Sequence, residues 1–385
     1  MKMKIGTAIL TEAGAAAVDI SPRNLRNAKI WMSGYMPIRY ATEQADPIMA
    51  RSLALGGAGN GLLIVSIDTC LISPLTASRW ARAIARSVPV PEERIFIITT
   101  HTHSGPDFSG LFGGVPPAYY FKARAGIIES ARLAWDARKK AALYLGTATH
   151  NTGLPRRRKH KETDIDREAV VLQFRGDAGT IATLINLGCH GVVYQADSQL
   201  LSSDLPGALC RTSDAAFGGV SLFVPRIQGD VNPNIIGEDT YHQKGNAKEL
   251  DRLAREGLAA AQKAAATAKA IDAAPFRIET KRFTASSKNL AKLLFTAPWW
   301  NGRLPDLSGM ANIDMREFGI GGVEGMAVPG EVLTGLGRAL IARFKQPALL
   351  FSYCGGYMGY MMTREIFDNG GYEPGVSPGP IDPCQ

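Results

Sequence analysis

The sequence predicts an α/β fold with mixed parallel and antiparallel sheets and flanking helices. Two observations predict it. Short β-branched runs alternate with longer alanine-rich segments of helical period, which is the α/β pattern. Several predicted strands between Ala142 and Leu187 follow one another without an intervening helix, so part of the sheet must be antiparallel. In chain order, apolar runs give strands over Gly61–Ile67, Arg94–Thr100, Ala142–His150, Ala169–Phe174, Thr180–Leu187, Gly219–Ile227, Phe276–Phe283, Gly325–Val328 and Ala348–Tyr353. Helical periodicity gives helices over Ser73–Ser87, Tyr119–Ala141, Leu205–Phe217, Ala247–Ile271 and Glu331–Phe344. The fourth helix carries Leu250, Leu253, Leu258, Ala261, Ala265 and Ala268 on one stripe and so docks on a core. The tail from Phe367 to Gln385 is rich in Gly and Pro and reads as an irregular surface arm or lid. No repeat or linker divides the chain, and the 385 residues are read as a single domain.

Composition narrows the function classes. With 45% hydrophobic and 20% charged residues the chain can bury a sizeable core. A net charge of +8 is too modest to indicate nucleic-acid binding unless it is focused in one patch, and no such partner is expected. The most polar stretch, Arg156 to Glu168, opens with PRRRKHK, and a solvated loop is its plainest interpretation. Five scattered cysteines without a C-x-x-C suggest reduced thiols and neither a disulfide framework nor a thiolate zinc site. The apolar run Ile5–Leu10 is cut short by Glu12, so no signal peptide is expected. No run approaches the ~20 residues of a membrane span. A cytoplasmic protein, without stable membrane insertion, is the resulting expectation; the oligomeric state is left open.

Three polar turns carry the chemistry. The run IITTHTHSGPD, Ile97 to Asp107, is a strand discharging into a His-x-His pair; in extended chain, His101 and His103 can face one site. LINLGCHGVV, Leu184 to Val193, repeats the arrangement with His190, and GDVNPN follows a third strand at Gly229 to Asn234. Crevices beyond the carboxyl ends of strands in α/β sheets are where ligands bind. Neutral imidazoles suit zinc, and a catalytic site needs a further oxygen ligand. Asp68, Asp204, Glu331 and the tyrosines of SYCGGYMGYMMTRE, Ser352 to Glu365, are candidates. Pro329 and Gly330 break the strand ahead of Glu331, which physics alone assigns to the start of a helix, stabilised by its dipole.

THTHSGPD, LGCHG, GDVNPN, VPGE and GYMGYMMTREIF, in that order, resemble the neutral, non-lysosomal ceramidases. AAAVDISP (Ala15–Pro22), SGYMP (Ser33–Pro37), DPIMARSLAL (Asp46–Leu55) and SIDTC (Ser66–Cys70) add to the resemblance, which spans residues 14 to 373. It covers the family's catalytic domain, and neither the family's secretory leader nor its C-terminal immunoglobulin-like domain is expected. The resemblance implies a mononuclear zinc amidase acting on a small-molecule N-acyl amide, with Zn2+ bound by His101, His190, Glu331 and Tyr360. It gives His103 a role at the scissile carbonyl or as a proton shuttle, and assigns a catalytic arginine to Arg156 or Arg157. The family's Gly-Asp-Val-Ser-Pro-Asn has a serine where this chain has Asn232, which can donate a hydrogen bond but cannot be a nucleophile. Ceramide is therefore expected to be a poor substrate. Two rival readings are a calcineurin-like metallophosphoesterase, which lacks here its Asp-x-His on the first strand, and a non-catalytic metal-binding protein whose basic loop meets an acidic partner.

Overall fold

The computed structural model describes residues 8–25, 28–155, 165–235, 247–286 and 310–384. Among these, a nine-stranded mixed sheet is built from β1 (Thr11–Asp19), β2 (Met49–Leu55), β3 (Leu62–Ile67), β4 (Ile95–Thr99), β5 (Lys139–Thr149), β6 (Glu168–Gly176), β7 (Gly179–Leu187), β8 (Val220–Pro225) and β9 (Lys269–Ile271). Their spatial order is β8-β7-β6-β5-β1-β2-β3-β4, with β9 beside β5. The outer pairs β3–β4 and β7–β8 are parallel, while the strands between them pair antiparallel. A second sheet, β10 (Phe276–Ser286), β11 (Met310–Ile320), β12 (Val323–Ala327) and β13 (Leu349–Phe351), is antiparallel except for its last, parallel pair.

The large sheet curls until its two ends meet. Ser66 Oγ in β3 donates to the Phe223 carbonyl in β8 at 2.7 Å, although five strands separate them in the sheet order. Strand alternation explains how both faces are covered. Leu62, Ile64, Phe96, Val170, Leu172, Leu222 and Val224 point into a shared interior closed by Phe318, Leu349 and Phe351 of the second sheet. Leu63, Val65, Ile95 and Ile97 point outward beneath α1 (Pro74–Ala85) and α2 (Pro117–Asp136), against Trp80, Ile84 and Ile127. At the other end Val171, Ile185 and Phe223 meet Leu205 and Leu209 of α3 (Asp204–Phe217) and Leu253 and Ala261 of α4 (Ala247–Thr267). The far side of the second sheet packs on Leu336 and Leu340 of α5 (Thr334–Ile341).

Three boundaries differ from the sequence reading, each because strand pairing overrides local helix propensity. The helix expected to reach Ala141 ends at Asp136, since Lys139 to Ala141 pair with β1. The helix expected to reach Ile271 ends at Thr267, and Lys269 to Ile271 pair with β5. Glu331 does not open a helix: Glu331–Val332 is a short strand paired with Tyr360–Met361, and α5 starts at Thr334, whose N–H and hydroxyl donate to Asp230. The tail holds the end of a short helix (Arg364–Asp368) and a 3-10 turn (Glu373–Val376) and is packed where a surface arm was expected: Ser377 and Ile381 are buried, and Ile381 N donates to Met362 O. The five cysteines are free, four of them buried. No helix among the described residues is long and apolar enough to cross a membrane.

Candidate metal centre

The parallel strands at the two ends of the curled sheet deliver the histidines, and the curl brings them together. His101 follows β4 and His190 follows β7. The two turns touch through a bridge between Thr102 and Gly191, and His103 N donates to Gly191 O at 2.9 Å. A Cβ on Gly191 would lie 3.0 Å from Thr102 Cα, so the approach requires the glycine behind His190.

Each imidazole is fixed from behind. His101 Nδ1 donates to the Cys70 carbonyl at 2.9 Å, and His190 Nδ1 donates to the Val231 carbonyl at 2.9 Å. With the proton on Nδ1, the Nε2 lone pair of each ring points forward, which is the tautomer a metal-binding histidine needs. Glu331 meets them there. Its Oε1 lies 2.7 Å from His190 Nε2 and 3.6 Å from His101 Nε2, and its Oε2 accepts from the Tyr357 hydroxyl at 2.9 Å. Among the described residues the ligand atoms of His101, His190 and Glu331 lie within 4.8 Å of one another, all buried.

This donor set is short of protons. His190 faces an acceptor at both nitrogens, Val231 O and Glu331 Oε1, yet a neutral imidazole has one N–H. A cation between the lone pairs would satisfy both, and two imidazoles with a carboxylate are a set that suits zinc. Burial would raise the Glu331 carboxyl, but His101 and His190 hold it well below the usual carboxylate range. Burial, aided by Glu331, pushes the phenols of Tyr353 and Tyr357 well above their ordinary value. The Tyr353 ring stacks on His101 with centroids 4.1 Å apart, and its hydroxyl accepts from Gln228 Nε2 at 3.3 Å.

The remaining sequence-derived candidates sort as follows. His103 joins the cluster, its Nε2 3.2 Å from His101 Nε2; burial and the neighbouring His101 and His190 rings hold it well below its ordinary value. Tyr360 is paired in register with Glu331 through the backbone, and its ring packs edge-on against Tyr372. Asn232 is buried and adjoins Val231, whose carbonyl holds His190. Asp68 and Asp204 are not part of the cluster. Asp68 accepts from Met49 N and Thr100 Oγ1, and Asp204 accepts from Val193 N, Tyr194 N and Leu205 N, bracing the loop after His190. Arg156, Arg157 and the rest of PRRRKHK lie outside the described residues, as does the start of the N-terminal apolar run, residues 5–7. The Cys70 and Val231 carbonyls are not legible in the sequence, because a main-chain acceptor leaves no mark on residue type. Nor does the sequence give a role to Tyr35 and Arg39, although SGYMP stands among the matching motifs.

Neutral ceramidase from Pseudomonas aeruginosa superposes with a TM-score of 0.78 at 18% identity, over 96% of this chain and 72% of that one. A solved ceramidase complexed with C2 gives a TM-score of 0.77 at 18% identity, over 96% of this chain and 73% of its own. The chain therefore has the mixed α/β fold of the neutral ceramidases. No family model matches the sequence, and no curated protein matches it significantly.

Proposed function

We propose that this protein is a zinc-dependent hydrolase of a carbon–nitrogen amide bond in a small N-acyl compound. The observation that carries the proposal is the convergence of His101, His190 and Glu331, each imidazole tethered through Nδ1 so that Nε2 faces the carboxylate. Tyr360, in register with Glu331, is the proposed fourth ligand. Zinc bound there would polarise the amide carbonyl as a Lewis acid and lower the pKa of a water. The chain's own groups do the rest. Cys70 O and Val231 O orient the two imidazoles, and the Tyr357 hydroxyl orients Glu331. His103, facing the cluster through Nε2, accepts a proton from the attacking water and returns it to the leaving amine. Asn232 donates its amide N–H to the oxygen on which negative charge develops, assisted by Arg156 or Arg157.

Because Asn232 stands where the ceramidases carry serine, the preferred substrate is a short, soluble N-acyl amide and not long-chain ceramide. A reducing compartment, the cytoplasm, is proposed on the free cysteines. The test is metal analysis of the purified chain together with turnover of a panel of short N-acyl anilides and long-chain ceramide. About one zinc per chain, with turnover of the short amides abolished by chelator and restored by zinc, is the result expected for a four-ligand mononuclear site. Two ions per chain, or none after reconstitution, refutes the mononuclear reading. Comparable turnover of ceramide refutes the substrate preference.

A further inference from the structure

His101 and His190 owe their orientation to a carbonyl behind the ring; His103 has nothing of the kind. Its Nδ1 is buried without a hydrogen-bond partner, and its Nε2 meets only another imidazole, His101, at 3.2 Å. The last torsion of a histidine is broad and roughly two-fold, so a ring held at one nitrogen only, by another side chain, is less firmly oriented than one tethered to the main chain. A proton-transferring group that must face one point needs some other constraint.

That constraint comes from the hairpin Trp31–Met32 and Arg39–Tyr40, whose tip carries SGYMP. The hairpin is tied along the HTHSGPD loop: Met32 bridges Pro106, Asp107 N donates to Trp31 O at 2.7 Å, and Ser33 N approaches Gly105 O at 3.4 Å. Gly34 lies flat against the His103 ring, with φ +102°, and a Cβ there would fall 2.3 Å from His103 Nδ1. Tyr35 closes another side edge-on, its centroid 4.9 Å from that of His103. Arg39 is buried; its guanidinium sits 4.9 Å from the Tyr35 centroid, donates Nη2 to His103 O at 2.5 Å, and donates Nη1 to the Ser198 carbonyl. Those two carbonyls belong to the two histidine loops, the one carrying His103 and the one that continues from His190.

Arg39 makes no direct ion pair among the described residues; burial pulls its guanidinium below its ordinary value, and Asp204 and Asp197 act on it only from a distance. A buried guanidinium without an ion pair, its Nε also lacking a hydrogen-bond partner, carries a desolvation cost that an apolar residue would not. Packing alone gives no reason to keep it.

We propose that Arg39 is a positioning residue which, with Gly34 and Tyr35, clamps His103 so that its imidazole faces the His101–His190–Glu331 cluster. The role assigned to His103 in the hydrolysis rests on the function proposed above; the clamp itself does not. Arg39 acts through His103, so its effect on rate must disappear once His103 is gone.

The test uses the full chain, zinc-reconstituted, with N-butyryl-4-nitroanilide as the probe. Arg39→Met keeps the apolar stem and removes both carbonyl contacts; it should lower kcat about 10- to 100-fold, as loss of a positioning contact does, with KM within about twofold. In a His103→Ala background the same change should lower kcat by less than about twofold, since residues acting through one another are not additive. Side-chain NMR of 15N-histidine protein supplies a readout independent of turnover: the His103 ring signals should shift or broaden in Arg39→Met, while those of His101 and His190 hold. Should Arg39→Met fail to fold, Tyr35→Leu at the hairpin tip removes the ring that packs on both His103 and the Arg39 guanidinium, and the same His103 signals must move. Unmoved His103 signals, or an Arg39 effect that persists undiminished without His103, overturns the proposal. If the parent chain turns over no amide, the NMR result still decides the clamp, and only the proposed function fails.

Discussion

Glu331→Gln should separate what the carboxylate does for zinc from what it does for the fold. In the metal-free chain His190 is asked for two protons, by Val231 O at Nδ1 and by Glu331 Oε1 at Nε2, 2.7 Å away. Glutamine keeps the shape, its oxygen can still accept from Tyr357, and its amide can donate to the His190 Nε2 lone pair. One satisfied neutral hydrogen bond in place of a lone-pair contact is worth about 1 kcal/mol. At about 2.1 cal/mol/K per residue, the unfolding entropy of 385 residues is about 0.8 kcal/mol/K, so metal-free Tm should rise by about 1 °C. Zinc reverses the order. At a zinc concentration about 1,000 times the parent Kd, the parent gains about 4 kcal/mol, or about 5 °C. Loss of the cluster's carboxylate should weaken zinc at least about 100-fold, leaving the variant about 1.4 kcal/mol and less than about 2 °C. Thermal unfolding of both proteins in chelator and in zinc reads all four numbers. A metal-free Tm lowered by about 3 °C or more, or a zinc shift equal to the parent's, would refute the reasoning, since either outcome makes Glu331 a structural carboxylate.

Three further outcomes follow from the same geometry. His190→Ala should purify with its zinc site empty by metal analysis, and stoichiometric zinc in that variant would remove His190 from the ligand set. Asn232→Ala should lose about 100- to 1,000-fold in kcat on the true substrate, as removal of an oxyanion donor does, whereas Asn232→Ser should gain turnover of ceramide-like amides; an unimpaired Asn232→Ala makes this a turn residue only. Burial pushes the Asp68 carboxyl up from 3.8 to about 7, so between those values the folded chain holds more protons than the unfolded one. The contribution of Asp68 to stability is then greatest below about pH 4 and falls by up to about 4 kcal/mol as pH rises to about 7; Asp204, pushed up to about 6, adds a loss of the same sign. Denaturant melts across pH should show a flatter decline for Asp68→Asn, and an unchanged slope would remove Asp68 as its source.

Much of this arrangement is legible in the sequence where residue type and periodicity act together. The β-branched runs ahead of His101 and His190 mark strands buried on both faces, and a histidine at the end of each is an uncommon placement. What stayed hidden has physical causes. Strand β1 reads TEAGAAAVD, with no aromatic residue and one β-branched residue in its interior, because α2 lies directly on it: a Cβ on Gly14 would come within 2.3 Å of Ala134 O. Close packing selected small residues and erased the strand signal. Glu331 followed the proline–glycine break that usually announces a helix, but its register with Tyr360 is set by a pairing across 29 residues of chain, which no local window contains. The Arg39 clamp is likewise long-range, joining residue 39 to residues 103 and 198.

Backbone strain points to the same place without reference to any motif. Among the described residues three non-glycine residues have positive φ: His101 at 63°, Asp204 at 52° and Tyr353 at 54°. Each such conformation costs of order 1–3 kcal/mol and persists only where the surroundings over-determine it. The surroundings do so here. His101 is held by its N–H on Thr69 O and its Nδ1 on Cys70 O, Tyr353 by its N–H on Gly330 O, and Asp204 by three N–H groups of its own and the preceding loop. His101 and Tyr353 stack on each other at the centre of the cluster, and the Asp204 carboxylate braces the chain three and four residues after His190. A fold optimised only for stability would not gather its unfavourable backbone conformations around two histidines and a carboxylate. That the strain, the proton-short donor set and a buried arginine spanning both histidine loops all converge on one cluster of side chains argues that the sequence was constrained there by chemistry and not by packing.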